Sequence, residues 1–195
     1  EISMSSSNSK YGIRRSGGTH GDVFTSPEVV SYMLDLVGYT TDKDLSKTSI
    51  LEPSCGEGEF VIEIARRLLE SSNKFNFDFN KAFRSNVFAY DIDGDKIESC
   101  LARLAEAGFS LLPNVNIRQA DFLSTSIQSF DIIVGNPPYI RYEHIPTELI
   151  SRYKQHFRTF HYRADLYILF FEKTLKHLNQ GGQHCFICSN RWLKN

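Results

Sequence analysis

The sequence predicts an α/β fold, a mostly parallel sheet flanked by helices, and three observations predict it. Short runs rich in β-branched and aromatic residues recur along the chain and end at a polar residue. Between them lie longer stretches whose apolar residues recur three and four apart, the spacing of an amphipathic helix. A glycine turn, Gly56 and Gly58, follows the first run, and Asn136-Pro137-Pro138-Tyr139 stops a later one abruptly. Strands alternating with helices form βαβ units, and ligands bind in the crevice beyond the carboxyl ends of such strands.

With 195 residues, 41% of them hydrophobic, the chain can bury one sizeable core. Residues 1–22 are rich in Ser, Gly and Asn and nearly free of apolar side chains, so a flexible N-terminal segment is expected before a single domain over 23–195. The chain begins at Glu1 rather than Met, as a processed or excised piece would. No apolar run approaches the roughly 18 residues that span a bilayer, and the N-terminus lacks the apolar core of a secretory signal. A cytoplasmic protein without a membrane partner is expected. Cys55, Cys100, Cys185 and Cys188 lack a disulfide-framework spacing, and the Cys185-x-x-Cys188 pair falls on opposite faces of an expected strand rather than around zinc. No metal is expected.

Taken in order, Ser26 is a helix N-cap, Pro27 the first helical residue and Glu28 a first-turn acid, with Val29, Val30, Met33, Leu34 and Val37 as the apolar face. A strand from Ser49 enters the glycine turn and is followed by a helical face of Val61, Ile64, Ala65 and Leu68. Over 71–85, Phe75, Phe77 and Phe79 alternate with polar residues as in a half-buried strand, which marks an insertion that is either an added edge strand or a partner surface. Strands are then expected over Asn86 to Asp91 and Val115 to Gln119, with a helix from Lys96 to Ala107 between them. Ile132, Ile133 and Val134 form the next strand, too short for a helix and ended by two prolines that permit neither ladder pairing nor helix. Leu166, Leu169, Phe170, Lys173 and Leu175 mark a helix that the glycines Gly181 and Gly182 terminate, before a fifth strand from Gln183 to Ser189.

The strand ends carry the chemistry. Asp91, at the tip of the second strand, can accept hydrogen bonds from two ribose hydroxyls, and Ile92 can pack on a base. Asp121 with Phe122 can read an adenine by its amino group and its ring face, although a turn acid followed by a core aromatic looks the same. In the fourth loop, the Asn136 amide oxygen and the Pro137 carbonyl can accept both hydrogens of an exocyclic amino group while the Tyr139 ring stacks on its base. An aromatic amine is a poor nucleophile because its lone pair is conjugated into the ring. Acceptors that favour a pyramidal nitrogen therefore stabilise the transition state for its alkylation.

On these residues the chain resembles the S-adenosylmethionine-dependent amino-methyltransferases with an Asn-Pro-Pro-Tyr motif. They include DNA adenine-N6 enzymes of restriction-modification systems and protein-glutamine methyltransferases. The resemblance runs from about Gly21 to Leu193 and implies a Rossmann-like methyltransferase fold truncated before its last strands. It also implies catalysis by Asn136, Pro137 and Tyr139 without a metal. Implied for the cofactor S-adenosylmethionine are Thr25 and Glu52 at its methionine end, the loop residues Pro53, Cys55, Gly56 and Gly58, then Asp91, Ile92, Asp121 and Phe122, with Asn136, Pro138 and Phe170 completing the set. The function so implied is methyl transfer to adenine N6 in DNA; a protein-glutamine or RNA N-methyltransferase, or a non-catalytic DNA-binding subunit, are the alternatives.

A net charge of −1 is unusual for a chain that grips DNA by itself. Between Tyr139 and Arg163, however, Arg141, Arg152, Lys154, Arg158 and Arg163 are interleaved with Tyr142, Tyr153, Phe157, Phe160 and Tyr162. Such a segment suits double-stranded DNA as a backbone-tracking, base-stacking surface, and equally suits an ordinary amphipathic helix over Thr147 to Phe157. The resemblance further implies a target-recognition domain or subunit outside this chain, and leaves open whether a nuclease is fused or associated.

Overall fold

A computed structural model describes residues 25–109, 114–160 and 164–188. Among these residues five strands form one sheet in the order β3-β2-β1-β4-β5, every neighbouring pair parallel. The strands are β1 (Ile50–Glu52), β2 (Val87–Asp91), β3 (Asn116–Gln119), β4 (Phe130–Gly135) and β5 (Leu178–Phe186). The helices are α1 (Pro27–Leu36), α2 (Glu59–Phe75), α3 (Phe79–Asn86), α4 (Gly94–Glu106), α5 (Thr147–His156) and α6 (Leu166–Lys176). None of the helices of the described residues is long and apolar enough to cross a membrane.

Strand side chains alternate between two cores, as a period of two requires. Ile50, Val87, Ala89, Ile132 and Val134 face the helices α1 to α4, whereas Leu51, Tyr90 and Ile133 face α5 and α6. On the first side Arg67 is buried, yet it is fully engaged. It donates to Glu63, Asp35, the Tyr39 carbonyl, and both the carbonyl and hydroxyl of Ser31, pinning α2 to α1. That contact fixes the N-terminus of α1, capped by Ser26 as its sequence predicts, and with it the neighbouring Thr25.

Three expectations need correction. The alternating phenylalanines are not a strand: Phe75 ends α2, Asn76 turns the chain in a left-handed conformation, and Asp78 caps α3, which begins at Phe79. A helix end, a cap and a helix start mimic alternation over so short a run, and Asn and Asp at those offsets are the capping signals. Secondly, Gly181 and Gly182 do not end α6, which stops at Lys176; they lie inside β5, where Leu178 pairs Phe130 and Gln183 pairs Ile132 across a register irregularity. The strand stops at Phe186, so Cys188 lies beyond it. Thirdly, Val29 and Leu175 are exposed rather than on the packed faces of their helices. The remaining strands and helices stand within a residue or two of their expected bounds.

At Gly58, which precedes α2, φ is 93° and a Cβ would come within 2.5 Å of Cys100 Sγ on α4. Only glycine permits both the left-handed backbone and the close approach of α4 to this loop. Gly58→Ala should therefore lower stability by roughly 1–3 kcal/mol, measured by chemical denaturation; an unchanged midpoint would show that the loop can relax away from Cys100.

Candidate functional site

Strands β1 and β4 are neighbours, but the sheet grows from β1 towards β3 and from β4 towards β5. Their carboxyl ends are the point where strand order reverses, the place at which a crevice opens in sheets of this kind. Glu52 ends β1, and Asn136 follows β4 directly. Gly135 brings the two together: a Cβ there would lie 3.4 Å from Glu52 Cγ.

Glu52 is 3% exposed, and its Oε2 is buried with no hydrogen-bond partner among the described residues. Burial pushes its carboxyl well above the ordinary carboxylate range, and Cys100, Glu59 and Asp91 nearby add to the shift. A buried acid in this condition is stabilised by a cationic partner, so the site fits an ammonium group.

Asp91 is also buried, but satisfied. Its Oδ2 accepts from Gly56 N at 2.9 Å and its Oδ1 from Asp93 N at 3.0 Å, tying the glycine loop of β1 to the tip of β2. The loop is further held by Cys55 N donating to the Tyr90 carbonyl at 2.8 Å. The Cys55 side chain turns inward against Cys100, and burial together with that contact raises its thiol pKa.

Beyond these strand ends lies an open cleft of about 460 Å³, counting the solvent at its mouth. Seven of the residues expected at a cofactor line it: Pro53, Asp91, Ile92, Asp121, Phe122, Pro138 and Phe170. Thr25, Glu52, Cys55, Gly56, Gly58 and Asn136 are not on its wall. Thr25 Oγ1 accepts from Asn136 Nδ2 at 3.4 Å, joining residues 111 apart in sequence. Pro137 is buried. Tyr139 donates its hydroxyl to the Ile187 carbonyl at 2.8 Å and tilts its ring against Tyr167, while burial pushes its pKa up to about 12. The hydroxyl is thus committed to β5's exit.

Asp121 caps the turn Phe122–Ser124 and accepts from Leu123 N at 3.1 Å, from the Ser124 hydroxyl and from the Tyr153 hydroxyl at 3.1 Å. Asp121 is thus the turn acid, and it also lines the cleft. Phe122 stacks on Phe170 with ring centroids 5.4 Å apart.

Of the basic residues, Arg141, Arg152, Lys154 and Arg158 are exposed, and Arg163 lies outside the described residues. Of their aromatic companions, Tyr162 also lies outside the described residues, and Tyr153, Phe157 and Phe160 are buried, Tyr153 on the inward face of α5 and the two phenylalanines just beyond its end. Tyr142 is half-buried beneath Lys154, whose Nζ is 5.7 Å from its ring centroid. Sequence reasoning missed Ser54, Leu123, Ile140, Tyr153 and Leu166 on the cleft wall. Tyr153 was legible only as an aromatic at helical spacing, a signal that does not say which partner its hydroxyl meets.

Solved structures share this architecture at low identity. The methyltransferase subunit of a type I restriction-modification system from Streptococcus thermophilus matches with a TM-score of 0.58 at 14% identity, over 87% of this chain and 35% of that one. The M protein of the type I restriction enzyme EcoKI matches with a TM-score of 0.51 at 14% identity, over 76% of this chain and 32% of that one. The fold is the Rossmann-like fold of the methyltransferases. Curated relatives are closer: the type II methyltransferase M.XhoI of Xanthomonas vasicola is 40% identical over 188 residues, 90% of this chain and 34% of that protein. The type II methyltransferase M.PaeR7I of Pseudomonas aeruginosa is 38% identical over 187 residues, 90% of this chain and 33% of that protein. Residues 33–195 match the model of the Eco57I restriction-modification methylase family, and the chain belongs to that family. It spans about a third of the length of the curated relatives it matches.

The state of Glu52 makes a pH prediction. Its folded pKa lies above the unfolded value, so its contribution to stability is full below the ordinary carboxylate pKa and is lost as pH rises towards the raised one. Glu52→Gln removes that loss. Thermal melts of wild type and variant should coincide in acid and separate towards neutral pH, with the variant the more stable; a variant less stable at neutral pH would show that the carboxylate is already paired.

Proposed function

We propose that this chain carries the cofactor site and catalytic loop of a DNA methyltransferase that moves a methyl group from S-adenosylmethionine to the N6 amino group of adenine. One observation carries the reading. Glu52, a buried acid whose Oε2 has no hydrogen-bond partner among the described residues, and an Asn-Pro-Pro-Tyr loop stand side by side where the strand order reverses, and Pro53 and Pro138, next to them in the chain, line the same cleft as Asp91 and Asp121. That its relatives M.XhoI and M.PaeR7I are type II methyltransferases, and that its family is one of restriction-modification methylases, supports DNA as the substrate class.

When bound, S-adenosylmethionine supplies an electrophilic methyl on a sulfonium. The protein's residues do the rest. Glu52 takes the ammonium of the methionine end, and its charged form is then stabilised by that partner. Asp91, held at the cleft wall by Gly56 N on Oδ2 and Asp93 N on Oδ1, takes the ribose hydroxyls. Asp121 keeps lone-pair capacity on Oδ2 for the adenine amino group, and Phe122, Ile92, Pro138 and Phe170 supply apolar surface for the ring. Asn136 and Pro137 accept the two hydrogens of the target amino group, and the Tyr139 ring, anchored through its hydroxyl, stacks on the base. The target adenine has to leave the duplex to reach them.

The exposed cations Arg141, Arg152, Lys154 and Arg158 contact phosphates on the side where the base enters. A target-recognition domain or subunit completes the grip, consistent with the share of the relatives' length that lies beyond this match.

The test is transfer of labelled methyl to DNA, RNA and protein, with adenine N6 in DNA as the expected acceptor. Asn136→Ala should reduce transfer by roughly 10²–10³-fold while sparing cofactor affinity, because its interaction is made with the reacting amine. Asp91→Ala should instead weaken the cofactor, as calorimetry would show. Equal loss of cofactor binding in the two variants, or labelling of protein glutamine in place of DNA, would overturn the assignment.

Salt supplies an independent check on the basic face. Lys154→Ala and Arg158→Ala should each lower the slope of log affinity for duplex DNA against log salt by roughly one, uniformly across sequences. An unchanged slope would remove α5 and the loop after it from the interface.

A further inference from the structure

Lys173 lies on the inner face of α6, 7% exposed, where its helical neighbours Leu169, Phe170 and Thr174 are buried as well. Its Nζ donates to the Phe122 carbonyl at 2.5 Å, to the Leu123 carbonyl at 3.2 Å and to the Thr125 carbonyl. All three ammonium hydrogens are thus spent on one short turn, and the cation also stands 4.8 Å from the centroid of the Phe122 ring. Burying an ammonium is expensive, and an apolar side chain of similar length would fill the position without that cost.

The turn that Lys173 grips carries the two residues at the adenine end of the cleft. Asp121 caps it, and Phe122 lies on its first position, stacked on Phe170. Phe170 and Lys173 are three apart on α6 and share a face, so one helix supplies both the ring against Phe122 and the cation beneath its carbonyl. From these contacts we infer that Lys173 is a positioning residue. By fixing the turn against α6 it sets the orientation of Asp121 and Phe122, and through them the affinity for the adenosine end of the cofactor. This rests on the reading of the cleft as the cofactor site.

A purely structural anchor and a positioning residue differ in how they respond to the proton. Burial lowers Lys173 to about 8, opposed by the nearby Asp121 carboxylate. The other charged or titratable groups around the turn are Arg152, which reaches Ser124, and Tyr153 and Tyr90, whose pKa values burial raises away from this region. On Lys173's own helix, Glu172 is committed to Lys176 and Thr159, and the His177 ring meets the Lys173 carbonyl. A neutral amine keeps two hydrogens and leaves one of the three carbonyls unpaired. Adenosine binding that needs the clamped turn must therefore favour protonated Lys173, and by linkage must take up protons as pH passes through about 8.

The experiment uses 5′-methylthioadenosine, which has the adenosine end but lacks the titrating α-amino and carboxyl groups of the methionine end, beside S-adenosylhomocysteine. Calorimetry on the wild-type protein in buffers of different ionisation heat should show proton uptake with methylthioadenosine near that pH. Lys173→Met should weaken both ligands by on the order of tenfold at neutral pH and abolish the uptake, while melting no lower than wild type. Lys173→Arg, which keeps the charge, should restore much of the affinity. Wild-type binding of methylthioadenosine without proton uptake overturns the inference, whether or not the variants fold. So does a folded Lys173→Met that binds as wild type does. A wild-type protein that binds neither ligand overturns the cofactor reading itself, and the inference with it.

Discussion

The reversal of strand order between β1 and β4 is the constraint on which the rest of the structure depends. Two parallel strands, hydrogen-bonded to each other, send the chain onward to opposite sides of the sheet, so no crossover covers the space above their carboxyl ends. Whatever side chains those ends carry are presented together, and here they are an acid and an asparagine. The glycine at 135 lets β4 approach Glu52 closely. Arg67, by locking α2 onto α1, holds Thr25 where its hydroxyl meets Asn136. The first-side helices thus reach the Asn136 loop through Thr25, and the glycine loop is tethered from the other direction by Asp91 of β2.

How much of this the sequence discloses depends on the kind of signal. Glu52, Asp91 and Asn136 are legible as strand-end residues because each ends or follows an apolar run too short for a helix; β3 is mostly polar, and Asp121 beyond it is legible mainly from the Phe122 that follows. Helix faces were legible as faces but not as contacts. The period of α5 says that Tyr153 and Phe157 share a side; it does not say that this side meets the cleft, which is decided by the turn after β3. Hence the interleaved aromatics fit a surface and an amphipathic helix equally in sequence, and Tyr153, Phe157 and Phe160 lie in the core. Lys173 was hidden for the same reason, since a lysine at an apolar helical position looks like an interruption until the carbonyls it serves are seen. The segment around Phe77 failed differently. Alternation over a few residues was taken for a strand, whereas Asn76 and Asp78, a helix stop and a helix start, carried the stronger local chemistry.

The buried polar groups around the cleft divide into two sets with different physical roles. Asp91, Asp121 and Lys173 are desolvated but satisfied by hydrogen bonds to the protein's own backbone and hydroxyls, so they act as fasteners for the loops they cap. Glu52 is desolvated with an oxygen that has no partner among the described residues, and its raised pKa records that cost. An apolar or amide side chain in its place would remove the cost, and a cation brought against it would instead stabilise the charged form. The fasteners hold the loops around the cleft, while the cost is concentrated at the strand end beside Asn136, where Gly135 lets β4 approach Glu52.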